Sequence, residues 1–279
     1  MNKFRGFLFL ILILLGCKEK TVHLGKEISF DKRMNISYGV DAEQKLDLYI
    51  PKRHGQIKNV FIIVHGGGWR GGDKSELTFF TLSLMQKFPE SVFANINYRL
   101  ASSSRFALPN QTDDVGKAIS FLEKTLEYKL TFILLGNSAG GHLSMLYAYK
   151  VNTKFKVKAV VNIVGPSDLS DPNFKNYSDY SFVENQLVNP VAPPACISKT
   201  TFASPTRSIH DNSPPTISFY GNNDQVIPSS QKSILDSVLS KNSVYNKSFE
   251  FSGGHLDWDK EKNADFLLNK IDVFLKQIK

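Results

Sequence analysis

Short, continuous apolar runs that alternate with helical patterns constrain this chain more than any other feature. Val60-Phe61-Ile62-Ile63-Val64 ends in glycines, and Phe132-Ile133-Leu134-Leu135 runs into Gly136. Residues 92–98, 159–164, 216–220 and 247–251 also read as strands. Brief runs rich in Val, Ile and Phe that stop at turn residues read as strands. Between them, residues 113–126 place Val115, Ala118, Ile119 and Leu122 at helical spacing. Residues 143–149, 229–239 and 262–278 also read as helices, the last with Phe266, Leu267, Ile271, Phe274 and Leu275 on its inner side. A strand that is apolar on both faces needs cover on both faces. The pattern therefore predicts an α/β fold with a mostly parallel central sheet between helical layers. Leu46-Asp47-Leu48-Tyr49-Ile50 alternates and stops at Pro51, as an outer strand would. In sheets of this kind ligands bind beyond the carboxyl ends of the strands. The chemistry is expected in the loops that follow them.

The 279 residues suffice for one large domain, expected over 27–279. One stretch breaks the rhythm. Residues 166–213 hold Pro166, Pro172, Pro190, Pro193, Pro194 and Pro205, with Phe174, Tyr177, Tyr180 and Phe182, and no strong strand. A long irregular insertion in a compact domain reads as a lid or binding loop. The formal charge is +8, but the basic residues are scattered and mostly lysine. No dense basic run interleaved with aromatics is present, which argues against a nucleic-acid partner. No His/Cys/Asp cluster has ligand spacing, so neither a metal nor another cofactor is called for.

The chain opens with Lys3 and Arg5, followed by an unbroken apolar run from Phe7 to Leu15. A charged start before a short hydrocarbon core has the form of a secretory signal, too short to span a bilayer comfortably. Its end, Leu14-Leu15-Gly16-Cys17, resembles the lipobox of bacterial lipoproteins. That resemblance implies a signal peptide over 1–16, lipidation at Cys17, and a tether over 17–26. The domain would then face an extracytoplasmic compartment, anchored by lipid at the periplasmic or cell-surface side of a bacterial membrane. Acylation of Cys17 would leave Cys196 alone, so no structural disulfide is expected.

Gly136-Asn137-Ser138-Ala139-Gly140 lies directly after a predicted strand and before a predicted helix. This is the form of a nucleophile elbow. The turn is so tight that its flanks must be glycine, and it lifts the Ser138 hydroxyl out of the sheet. The Ala139 amide then stands at a helix start, where it can meet negative charge developing on a carbonyl oxygen. His65-Gly66-Gly67-Gly68-Trp69 follows the 60–64 strand. Its glycines free the backbone to aim amides at a ligand, so Gly67 and Gly68 join Ala139 as candidate oxyanion donors. A phosphate loop would need a lysine step that is missing. His65 reads as a structural holder of that loop, and Trp69 as a wall of the substrate pocket.

A base and an acid are expected after the serine. His255 follows Gly253-Gly254 just past the last strand. His23 and His54 precede the core fold, His142 lies one turn into the elbow helix, and His210 falls in the insertion. Asp224 and Asp168 both follow predicted strands, so position alone leaves the acid open between them.

Together these motifs resemble the hormone-sensitive-lipase-like group of α/β-hydrolases, especially bacterial carbohydrate-esterase relatives with a His-Gly-Gly-Gly-Trp loop. Trp69-Arg70-Gly71-Gly72-Asp73-Lys74, Asn97-Tyr98-Arg99-Leu100, Asp114, Ser138-Ala139-Gly140-Gly141-His142, Ala203-Ser204-Pro205 and Ser213-Pro214-Pro215 carry the likeness over about 46–278. It departs at Ser102-Ser103-Ser104 and through the insertion. The resemblance implies an α/β-hydrolase fold. It favours Asp224, set in Gly221-Asn222-Asn223-Asp224-Gln225-Val226-Ile227-Pro228, as the acid. The expected function is hydrolysis of carboxylic esters through an acyl-enzyme, on small acyl groups such as acetyl, with a small-molecule or carbohydrate ester as substrate. Amide, peptide or arylformamide hydrolysis on the same triad is the alternative. An idle binding lipoprotein on the same scaffold is a third reading.

Overall fold

A computed structural model describes residues 20–24, 28–52, 57, 59–126, 130–150 and 157–278. Cys17, the expected signal peptide and most of the expected tether lie outside these residues.

Nine strands among the described residues form one sheet, in the order β1-β2-β3-β5-β4-β6-β7-β8-β9. In chain order they are β1 (Lys20–His23), β2 (Ser29–Ser37), β3 (Lys45–Pro51), β4 (Asn59–Val64), β5 (Val92–Ile96), β6 (Thr131–Asn137), β7 (Val157–Ile163), β8 (Thr216–Gly221) and β9 (Asn246–Phe251). From β5 through β9 every pairing is parallel, while β1, β2 and β3 pair antiparallel with their neighbours. The helices are α1 (Thr78–Lys87), α2 (Asn110–Leu126), α3 (Ala139–Lys150), α4 (Tyr180–Asn185), α5 (Lys199–Ala203), α6 (Ser230–Lys241) and α7 (Glu261–Gln277).

Successive side chains on a strand point to opposite faces, so one apolar strand feeds two cores. Ile62, Val64 and Leu134 face the layer built by Val115, Ile119 and Leu122 of α2, Leu143 and Leu146 of α3, and Leu235 and Leu239 of α6. Phe61, Ile63, Ile133 and Leu135 face Phe80 and Leu84 of α1 and Leu267, Ile271 and Phe274 of α7. Full burial of each such side chain stabilises the fold by roughly 1.5–3 kcal/mol.

Two sequence expectations are corrected here. The run 46–50 is not an outer strand, because β2 pairs beyond it and β1 beyond β2. Leu46 and Leu48 enter the first core, Tyr49 the second, and Asp47 is buried in an ion pair with Lys74 at 3.1 Å. The described part of the expected tether, Lys20–His23, is that edge strand. Its main chain pairs with β2, whose exposed edge would otherwise leave amides and carbonyls unpaired.

The insertion is not a loose loop. It carries α4 and α5, and Phe174, Tyr180, Phe182, Val183, Leu187 and Val188 are buried in the same core as α2 and α3. Its aromatics thus replace solvent over the helical layer, which fixes the segment against the body of the domain.

Candidate active site

All the parallel strands point the same way, so the loops after β4, β6, β8 and β9 converge on one edge of the sheet. The elbow comes from the end of β6. Ser138 has φ of +51°, a left-handed conformation costing about 1–2 kcal/mol in a non-glycine residue. It is held by its amide to Ile163 O at 2.8 Å and by its carbonyl, which accepts from His142 N at 3.0 Å. The flanking glycines are required by contact. A Cβ on Gly136 would collide with the Gly140 carbonyl, and one on Gly140 with the carbonyl oxygens of Val64 and His65.

The hydroxyl so presented meets His255. Ser138 Oγ lies 2.9 Å from His255 Nε2, and His255 Nδ1 lies 2.9 Å from Asp224 Oδ2. The Asp224 side chain is buried, and its other oxygen accepts the amides of Val226 at 2.8 Å and Ile227 at 2.9 Å. Two loops must touch for this relay to close. The Asn223 amide donates to Gly253 O at 3.0 Å, and a Cβ on Gly221 would lie 2.6 Å from that same oxygen. Glycine at 221 therefore permits the close approach. The His255 loop is braced by Asp257, which accepts the Gly254 amide at 2.7 Å.

Asp168, the other acid left open by the sequence, is occupied elsewhere. It pairs with Arg207 at 3.2 Å and accepts from the Ser170 amide at 2.9 Å and the Ser204 hydroxyl at 3.2 Å. It fastens the insertion to itself and does not meet His255.

The glycine loop after β4 lies against the elbow, since a Cβ on Gly66 would be 3.3 Å from Ser138 Cβ. Gly67 and Gly68 have φ of +101° and +58°, and the Gly67 carbonyl accepts the amides of Arg70 and Gly71. Among the described residues the amides of Gly67, Gly68 and Ala139 have no protein acceptor, so they are free to bind a ligand. The Asn97-Tyr98-Arg99 segment props this loop. Tyr98 stacks on His65 and donates to the carbonyls of His65 at 2.9 Å and Gly66 at 3.2 Å. Asp114 is fully buried and holds Arg99 through paired bonds of 2.7–3.0 Å.

Trp69, expected as a wall of the pocket, is only 3% exposed. A buried indole N–H needs an acceptor, and Trp69 Nε1 finds His142 Nδ1 at 3.1 Å. His142 Nε2 in turn donates to Ala203 O of the insertion at 2.8 Å. The carbonyl of Trp69 accepts from Gln111 and Ala101. Trp69, itself at φ +63°, thus anchors the glycine loop to α3. Burial pushes both His65 and His142 down to about 4, so both are neutral structural groups at physiological pH.

No group of three or more potential metal ligands occurs among the described residues. A separate concavity of about 770 Å³, with Phe121, Tyr147, Lys150 and Phe202 on its walls, lies between α2 and α3 and contains none of the relay residues.

Residues 46–239 match the family model BD-FAE. The chain belongs to the BD-FAE family. Its fold is the α/β-hydrolase fold. It is similar to the esterase LipQ of Mycobacterium tuberculosis, 26% identical over 225 residues, covering 74% of this chain and 52% of that protein. It is also 26% identical to the kynurenine formamidase of Danio rerio over 140 residues, covering 49% of this chain and 46% of that one. The chain thus spans about half the length of these relatives. Among solved structures, a truncated carbohydrate esterase from gut microbiota superposes with a TM-score of 0.73 at 20% identity, covering 91% of this chain and 98% of that one. Esterase B from Lactobacillus rhamnosis also gives 0.73 at 20% identity, covering 88% and 85%.

Proposed function

We propose that this protein hydrolyses carboxylic esters through an acyl-enzyme, with Ser138 as nucleophile, His255 as general base and acid, and Asp224 as the group that orients the imidazole. The continuous relay from Ser138 Oγ through His255 to Asp224 Oδ2, each step 2.9 Å, carries the reading. With the Nδ1 proton donated to Asp224, Nε2 is the acceptor that takes the serine proton as Oγ adds to the ester carbonyl. The free amides of Gly67, Gly68 and Ala139 would receive the oxyanion. The imidazolium returns its proton to the leaving alcohol, and a water then repeats the sequence on the acyl-enzyme.

The substrate class is an ester of a small acyl group, acetyl or similar, on a small molecule or a carbohydrate. Two observations support a small acyl site. The insertion is packed into the core beside the glycine loop, and Arg70 of that loop pairs with Asp179 of the insertion. The carbohydrate part rests on the likeness to a gut-microbial carbohydrate esterase. Formamide hydrolysis on the same triad is the second reading, favoured by the kynurenine formamidase relatives. Lipid anchoring at Cys17 outside the cytoplasm belongs to the same proposal, supported by the Leu14-Leu15-Gly16-Cys17 junction after an apolar run.

A fluorophosphonate probe should label wild type and not Ser138→Ala. Unlabelled wild type would favour an idle binding protein. Two-carbon nitrophenyl esters should turn over faster than eight-carbon ones, and acetylated xylan should release acetate. Faster turnover of the eight-carbon esters, or of an arylformamide over any ester, would replace the substrate assignment.

A further inference from the structure

The insertion brings one side chain to the glycine loop that no motif marked. Tyr177 sits where the chain turns from a short helical turn at Pro172–Asn176 toward α4. Its ring stacks on the fully buried Phe174, centroids 5.4 Å apart and planes 10° from parallel. Its amide donates to Phe174 O at 3.0 Å, and its carbonyl accepts from Tyr180 N at 2.9 Å. Two residues on, Asp179 pairs with Arg70 of the glycine loop, whose guanidinium lies 4.5 Å above the Phe182 ring. Tyr177 is therefore fixed on both sides, through its ring and through the chain that follows it.

The hydroxyl of this fixed ring is free. Among the described residues it has no hydrogen-bond partner, and the side chain is half-buried. It faces Gly68: a Cβ on Gly68 would lie 3.6 Å from Tyr177 Oη and within 4 Å of nothing else. Every other glycine of this loop has backbone, or the elbow, at that position. The open side of Gly68 is thus faced by a single protein group, the Tyr177 hydroxyl.

We infer that Tyr177 contacts the substrate directly, donating a hydrogen bond to the ester oxygen held at Gly68 as that oxygen gains charge. The inference rests on the ester-hydrolase reading above and adds a side-chain donor to the backbone donors. A donor aimed at a developing charge, and rigid before the reaction, contributes mainly in the transition state. Burial, with the charge of Asp179 behind it, holds the Tyr177 phenol above its ordinary range, so it remains a donor at alkaline pH. The insertion would thus take part in the reaction by position, without having to move.

Kinetics of the full chain on nitrophenyl acetate test this, with Tyr177→Phe and Ser138→Ala measured in parallel. Phenylalanine keeps the stack on Phe174 and removes only the oxygen. The expected result is a loss of about tenfold or more in kcat with little change in KM. A butylboronic acid, which forms a tetrahedral serine adduct, should bind more weakly to Tyr177→Phe by a similar factor, with the melting temperature kept. Tyr177→Phe within twofold of wild type in both kcat and boronate affinity would overturn the inference. So would a loss matched by a large fall in melting temperature, which would mark a structural role. If Ser138→Ala is inactive while Tyr177→Phe is unaffected, only this inference falls. Turnover that survives Ser138→Ala overturns the triad reading and this one together.

Discussion

Replacing Asp224 with asparagine changes one atom and tests how the relay is wired. One carboxylate oxygen accepts two amides, from Val226 and Ile227, while the other faces His255 Nδ1. An asparagine that keeps its oxygen on the two amides must turn its NH2 toward Nδ1. That nitrogen then becomes an acceptor, the ring proton moves to Nε2, and Nε2 can no longer take the Ser138 proton. The flipped rotamer sets NH2 against two N–H donors in a buried site, which is worse. The same substitution in a well-studied serine protease costs about 10⁴ in turnover, or roughly 5 kcal/mol of barrier. We expect a loss of that order in kcat on nitrophenyl acetate, with KM nearly unchanged. Asp168→Asn is the comparison, because that carboxylate holds Arg207, Ser170 and Ser204 and not the imidazole. It should lower the melting temperature while keeping kcat within a few fold of wild type. If Asp224→Asn loses less than about tenfold, or Asp168→Asn loses more than Asp224→Asn, the wiring is wrong in its third member.

Further outcomes follow from burial and close contact. Gly140→Ala sets a methyl against the carbonyls of Val64 and His65 and should destabilise by at least about 2 kcal/mol, read as a lower urea midpoint; an unchanged midpoint would contradict it. His65 and His142 titrate near 4 in the folded chain against 6.5 when free, so the unfolded state binds more protons between those values. Their contribution should be complete above pH 6.5 and decline toward pH 4 by up to a few kcal/mol, and a melting temperature flat across that window would refute the assignment. Cys17→Ser should abolish acylation and detergent partitioning, whereas a mature wild-type chain with an unmodified Cys17, by mass spectrometry, would remove the anchor from the proposal.

What the sequence determined by itself is what depends on neighbours along the chain. The apolar runs of β4, β6, β7 and β8 demand cover on both faces, and they announce a parallel sheet without knowing their order in it. Ser138 is legible because the elbow's glycines and the strand before it are contiguous, and His255 because it follows the last strand. The edge strands were not legible. Ser29–Ser37 sets Phe30, Met34 and Ile36 on one face, but Lys32 interrupts that face and Asp31, Arg33 and Asn35 fill the other, so its pairing with β1 and β3 is what shows the strand. The choice between Asp224 and Asp168 was open for the same reason. Both end strands, and what separates them is the contact of the 221–224 loop with Gly253, some thirty residues away. The packing of Trp69 was not legible, because an aromatic beside a glycine loop looks the same in sequence whether it faces a ligand or an interior. His142 and Phe182, distant in the chain, turn it inward. Tyr177 was marked only as one aromatic of the insertion, for its place beside Gly68 comes from its stack on Phe174 and from the fastening of the insertion to Arg70. Contacts between distant segments have no period and no motif, so only the folded chain decides them.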